Sequence, residues 1–270
     1  MKKCKVWTPA EALVSNASSK SHDKRVPAMT SLKSLIGDTL GKLVFPELSV
    51  TSVRELVPGM RRVTLEGAHL RSASFTPGDK LQVLVAGMGT RTYTPFAVDA
   101  TRGTLELLVY LHGDGPGAHW GRTLVVGDKV RVFGPRGSLP LPSLHGPVVL
   151  FGDETSFALG RALGDLHARQ QDVTCVFEVG GVVASKAILA DVGVPGAELV
   201  ARSDEHGWAH LVDVETALRD ALARRPGSWL VLTGKAQSIQ VLRAAFKQRA
   251  APYVGQKVKA YWSVGKRGLD

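Results

Sequence analysis

From residue 48 to residue 135 the chain runs in six short stretches: LSVTSVREL, RRVTLEG, KLQVLVAG, TYTPFAV, TLELLVYLH and KVRVFGP. Within most of them apolar and polar residues alternate, the period of a strand with one buried face, and Gly, Pro or Asp breaks each from the next. PGDK at 77–80 and VGDK at 126–129 supply strand-entry turns, and nothing reads as a helix before about residue 116. Short strands with tight turns and no helices predict a small antiparallel β-barrel. After PLPSLHGP at 140–147 the rhythm changes. VVLFG, VTCVFEVG, ELVAR, WLVLTG and KVKAYWSVG read as strands, and SFALGRALGDLHARQ, LVDVETALRDALARR and IQVLRAAFKQRA as helices. Strand–helix alternation predicts an α/β domain with a mainly parallel sheet covered on both faces. The expected division is a flexible tail over 1–30, a barrel domain over 31–143 with a leading helix at 31–44, and an α/β domain over 144–270.

Composition narrows the function. At 44% hydrophobic residues the chain can bury an ordinary core. No apolar run reaches the roughly 18 residues that span a bilayer, so no membrane insertion is expected. Lys2, Lys3 and Lys5 are not followed by the apolar stretch of a secretory signal. Cys4 and Cys175 are the only cysteines, too few for a disulfide framework or a four-thiolate iron–sulfur cluster, and a cytoplasmic location is expected. The net charge of +10 is concentrated at the ends: +5 over 1–33 and +6 over 243–270, leaving about −1 between. Nucleic-acid binding would place cations and aromatics along one groove-facing element, so none is expected. An anionic small molecule or partner near the C-terminus fits better.

Two segments carry candidate chemistry. In the strand holding Arg91-Thr92-Tyr93-Thr94, alternate side chains share a face, so Arg91 and Tyr93 point one way and Thr92 and Thr94 the other. A flavin dinucleotide needs a cation for its pyrophosphate, a flat ring against the isoalloxazine and a small donor near N5, which Arg, Tyr and Thr supply in order. His112-Gly113-Asp114-Gly115-Pro116-Gly117-Ala118-His119-Trp120 follows an apolar strand and opens a helix near Pro116. Its backbone N–H groups and helix dipole make an anion site without a lysine. Farther on, Gly152-Asp153-Glu154-Thr155 sits where an open α/β sheet binds ligands, or serves only as a set of helix N-terminal acids. G-x-G-x-x-G is missing there. Lys257, Lys259, Lys266 and Arg267 surround Tyr261 and Trp262, as a chelate-recruiting patch or a solvated tail. The one metal-type histidine spacing, His206 and His210, straddles Gly207 in an expected loop, so no metal site is expected, and no nucleophile–base arrangement stands out.

The stretch from RTYT through YLHGDGPGAHW to VGDKVRVFGPRGSL resembles the siderophore-interacting protein family, flavin-dependent ferric-siderophore reductases built on the ferredoxin-reductase plan. GDET, WLVLTGKAQSIQVLR and YWSVG are similar to that family's C-terminal half, so the resemblance spans roughly 45–268. It implies an FAD-binding barrel followed by an NAD(P)H-binding-like α/β domain. Arg91, Thr92, Tyr93 and Thr94 would hold FAD. His112, Gly115, Pro116, Gly117, Ala118 and Trp120 would line its pyrophosphate and adenine side, and Asp153, Glu154 and Thr155 the cofactor side of the second domain. Lys259, Lys266 and Arg267 are the expected substrate-binding cations. The chain departs from the family at Ala118, where a hydroxyl residue is usual, over Ser156-Phe157-Ala158-Leu159, and at Lys235, where an acid is usual.

The implied activity is an FAD-dependent reductase passing electrons from NADPH or NADH to ferric iron in a siderophore, with an electron-donor protein as a possible partner. A flavin reductase serving a quinone or an oxygenase, and a non-catalytic flavin- or chelate-binding protein, stay open as alternatives.

Overall fold

The computed structural model describes residues 45–85, 89–167, 172–203 and 208–266; the expected tail and leading helix, the basic residue Arg267 and His206 lie outside them. Seven strands form the first sheet: β1 (Glu47–Val57), β2 (Met60–Glu66), β3 (Lys80–Val85), β4 (Gly89–Tyr93), β5 (Pro95–Asp99), β6 (Thr104–Tyr110) and β7 (Lys129–Arg136). Every pairing is antiparallel, in the order β4-β3-β7-β1-β2-β6-β5. The two ends of that order, β4 and β5, are joined by Thr94 alone, so the sheet curls until its edges meet. TYTPFAV, which alternates like one strand, is therefore two. Leu48, Val63, Leu81, Leu105, Leu107 and Val132 fill the interior, and helix α1 (Pro116–Thr123) lies against β6.

Residues 137–147 lead to five parallel strands, β8 (Val148–Gly152), β9 (Val173–Val179), β10 (Glu198–Ala201), β11 (Trp229–Lys235) and β12 (Gly255–Trp262), ordered β10-β9-β8-β11-β12. Helices α2 (Phe157–Leu166), α3 (Val182–Asp191), α4 (Leu211–Arg224) and α5 (Ala236–Gln248) connect them. The order reverses between β8 and β11. That switch point is where doubly wound sheets open a ligand crevice, outside the strands' carboxyl ends. Met60, Phe96 and Leu108 of the barrel share one core with Leu150 of β8 and Phe157 and Leu159 of α2. The seam between the halves is thus apolar and close-packed, and positions on either side of it stay in fixed register.

Helix α3, VVASKAILAD, has no helical stripe in its sequence, being apolar on nearly every side. It buries only Ser185, Ile188 and Leu189 and leaves Val183 85% exposed.

Candidate flavin and nucleotide site

The strand β4 pairs with β3, setting Arg91 opposite Val83 and Tyr93 opposite Leu81. Arg91 and Tyr93 are half-buried while Thr92 is exposed, as period-two alternation requires. The Arg91 guanidinium donates to the Thr90 carbonyl at 2.6 Å. Tyr93 rests against Trp120, ring centroids 5.5 Å apart, and burial raises its phenol above the ordinary range. Burial raises the Tyr261 phenol of β12, and the Thr94 side chain across the seam opposes that rise.

The glycine turn meets the same strand. Gly115 is the N-cap of α1 and Pro116 its first residue. A Cβ built on Gly117 would lie 3.4 Å from the Tyr93 hydroxyl and 3.5 Å from the Arg91 side chain. At Gly113 and Gly115 a Cβ would meet nothing within 4 Å, so that part of the turn is open to a ligand. Gly121 is fixed by close approach instead: its Cβ would stand 2.6 Å from Leu111 and from Val109. Ala118 is buried in α1. The Arg122 guanidinium ties the turn down by donating to the carbonyl of Gly113 at 2.7 Å, and Arg61 donates to the Gly121 carbonyl at 2.8 Å. An arginine, a phenol and a free N-terminal helix turn on one side of a barrel strand suit a flavin dinucleotide, whose pyrophosphate is anionic and whose ring system is flat.

The second half brings its own groups to this seam. His112 stacks on Tyr110 at 5.1 Å and meets Trp262 at 4.8 Å. Both Glu154 carboxylate oxygens accept from Nη2 of Arg202, at 2.7 and 2.8 Å, and one also accepts the N–H of Gly180 at 2.7 Å. Arg202 also donates to the Tyr110 hydroxyl at 3.4 Å, and burial pushes that phenol up to about 12. Asp153 caps the turn Glu154–Ser156 through the Thr155 N–H. Lys235, only 1% exposed, ends β11 with its ammonium 4.9 Å from the Trp208 ring and 5.7 Å from the Trp262 ring.

Of the three expected substrate cations, Lys259 is drawn into a cluster and Lys266 is not. Lys259 donates to the Ser138 hydroxyl at 3.0 Å. Burial, then the fields of Lys80 and Arg136, hold its ammonium below the usual lysine range. Lys80 and Arg136 face each other across β3 and β7 beside a bulge. Gly134 makes that bulge possible: its φ is 115°, and a Cβ would lie 2.7 Å from the Lys80 carbonyl oxygen. Lys80 read only as part of a turn, Arg136 only as the end of a strand and Arg202 only as the last residue of ELVAR. A cross-strand pair beside an irregularity has no local signature. Among the described residues, no group of three His, Cys, Asp or Glu could hold a metal ion, and no helix is long and apolar enough to cross a membrane.

Residues 86–139, covering β4, the glycine turn and β7, match the model of the siderophore-interacting FAD-binding domain family. Over that segment the chain is similar to siderophore-interacting FAD-binding domains. A curated relative, the NADPH-dependent ferric-chelate reductase of Escherichia coli, is 27% identical over 82% of this chain and 93% of its own length. A siderophore utilization protein from T. fusca superposes with a TM-score of 0.62 at 26% identity, covering 84% of this chain and 95% of that one. Beyond these, a cytochrome P450 reductase from Amycolatopsis shares the fold, with a TM-score of 0.57 at 23% identity over 82% of this chain and 71% of its own. The barrel followed by a parallel α/β sheet is a fold these reductases share, and the family match makes FAD the cofactor.

Proposed function

We propose that this chain is a cytoplasmic FAD-dependent reductase that passes electrons from NADPH or NADH to ferric iron in siderophores, releasing it as Fe(II). The observation that carries this reading is the seam. The RTYT motif closes the barrel where β4 hands over to β5, and Thr94 there faces Tyr261 at the carboxyl end of the parallel sheet. A flavin held by β4 and the glycine turn would stand beside the crevice that a doubly wound sheet offers to a nucleotide. FAD, when bound, supplies the chemistry that these side chains lack, taking an electron pair from a nicotinamide and giving single electrons to a metal.

The protein's own residues bind and orient. Arg91 and the N-terminus of α1 take the pyrophosphate, with Gly115, Pro116, Gly117 and Ala118 as the turn and Trp120 behind Tyr93. Thr94 offers its hydroxyl near the flavin ring. Thr155 and Glu154 shape the nucleotide side, and Lys235 adds a cation at the strand end. The ferric-chelate reductase likeness supports both the donor and the acceptor. A reduced electron-carrier protein is the alternative donor, and an anaerobic titration with each donor separates the two.

Lys259, Lys80 and Arg136 gather the anionic chelate, and Lys266 and Arg267 are kept as further candidate cations for it. Attraction of this kind is screened by salt, with a Debye length of about 10 Å at 0.1 M. Reduction of a triply anionic ferric tris-catecholate is expected to slow as ionic strength rises, and that of a neutral ferric tris-hydroxamate much less. Replacing Lys80, Arg136 and Lys259 together by Gln is expected to flatten the difference. A triple variant with the wild-type rate and salt response on the anionic chelate would remove these residues from the substrate path.

A further inference from the structure

Asp153 directly follows β8, at the position from which a doubly wound sheet offers residues to a ligand. Its side chain is nevertheless 0% exposed and turned inward. One carboxylate oxygen accepts the Thr155 N–H at 2.9 Å and the Thr155 hydroxyl; the other accepts the Trp262 indole N–H at 2.7 Å. Gly234, with φ 92°, leaves the space this needs, since a Cβ there would lie 2.6 Å from the carboxylate. A buried carboxylate is tolerated where donors converge on it. Burial raises its protonation range and the Thr155 hydrogen bond opposes that shift. Through the indole the residue reaches the flavin motif, since Trp262 meets His112, the residue preceding the glycine turn.

We propose that Asp153 is a positioning residue for the flavin site: it fixes the tilt of Trp262, so that Trp262 and His112 form a rigid aromatic wall between the FAD-holding turn and the nucleotide crevice. The inference rests on reading the chain as a flavin reductase. An indole has a single polar handle, its N–H, so one acceptor at one edge decides how the ring lies. Here the acceptor hangs from the central strand of one half and the ring it turns touches the other half. The wall therefore links the state of the crevice to the environment of the flavin.

The test compares FAD-loaded wild type with Asp153→Asn, Asp153→Ala, Trp262→Phe and the Ala/Phe double variant. Two signals are read: the visible circular dichroism of the flavin and the rate of its anaerobic reduction by NADPH. Asn has one acceptor oxygen where Asp153 uses two, so its amide NH2 faces either the indole N–H or the Thr155 N–H, and it is expected to fall between wild type and Ala. Ala and Phe each remove the bond, and each is expected to shift the dichroism in the same sense. Each should also slow reduction about tenfold, the scale of one charge-assisted hydrogen bond. The double variant should be no slower than the singles. A Trp262→Phe protein with wild-type dichroism and rate would overturn the proposal, and so would losses that multiply in the double variant. The Phe variant decides by itself if Asp153→Ala does not fold. If wild type takes up no FAD, or its FAD is not reduced by NADPH, the flavin-reductase reading is what fails. If wild type behaves as a reductase and Trp262→Phe matches it, only the positioning role fails.

Discussion

Arg202→Ala is expected to lower the free energy of unfolding by about 3–5 kcal/mol, the cost of leaving a buried carboxylate without its cation. Arg202 and Glu154 are 11% and 6% exposed and meet through two bonds at 2.7 and 2.8 Å. With the guanidinium gone, Glu154 keeps the Gly180 N–H but has lost its cation. The Glu178 carbonyl, which accepts from the same arginine at 3.1 Å, loses that partner too. The double change Glu154→Leu with Arg202→Met is expected to cost much less, because it removes both charges and keeps the volume. Urea titration of both variants measures the difference. A loss below about 1 kcal/mol in Arg202→Ala, the scale of an exposed pair, would show that the site is wetter than its geometry implies.

Arg91→Ala is expected to weaken FAD binding by roughly ten- to a hundredfold, since a charge-assisted contact to phosphate typically contributes about 1.5–3 kcal/mol. The guanidinium stem lies against the glycine turn at Gly117, so the variant loses packing as well as charge. Arg91→Lys keeps the charge without the planar fork and should fall between. Flavin fluorescence titration of the apoprotein gives all three affinities. Equal affinity for wild type and the Ala variant would move the pyrophosphate away from β4.

Much of this molecule is legible in local periodicity. Alternation alone places Arg91 and Tyr93 on one face of β4 and Thr92 on the other, and the glycine-rich turn does open a helix at Pro116. The barrel-to-α/β order is visible because the apolar period changes after residue 147. What escapes local reading is set by distant partners. The corner at Thr94 is invisible in TYTPFAV, because alternation runs straight through a residue where the chain leaves one edge of the sheet for the other. Helix α3 escapes because its apolar residues surround it instead of forming a stripe. Charge density near the C-terminus points to Lys259 but not to Lys80 and Arg136, which reach it from β3 and β7. GDET reads equally as ligand-binding residues or as helix acids. Folded, Asp153 and Glu154 are both committed to partners within the protein, Trp262 and Arg202.

The most direct test is anaerobic. Purified protein loaded with FAD is mixed with NADPH, NADH or a reduced electron-carrier protein while the flavin absorption near the visible maximum is followed, and a ferric siderophore is then added with an Fe(II) chelator present. The expected result is bleaching by a nicotinamide, recovery of the yellow colour on adding the ferric siderophore, and two Fe(II) captured for each flavin reoxidised. A flavin that no donor bleaches, or one that bleaches and is reoxidised by a quinone but not by any ferric siderophore, would contradict the assignment of this chain as a ferric-siderophore reductase.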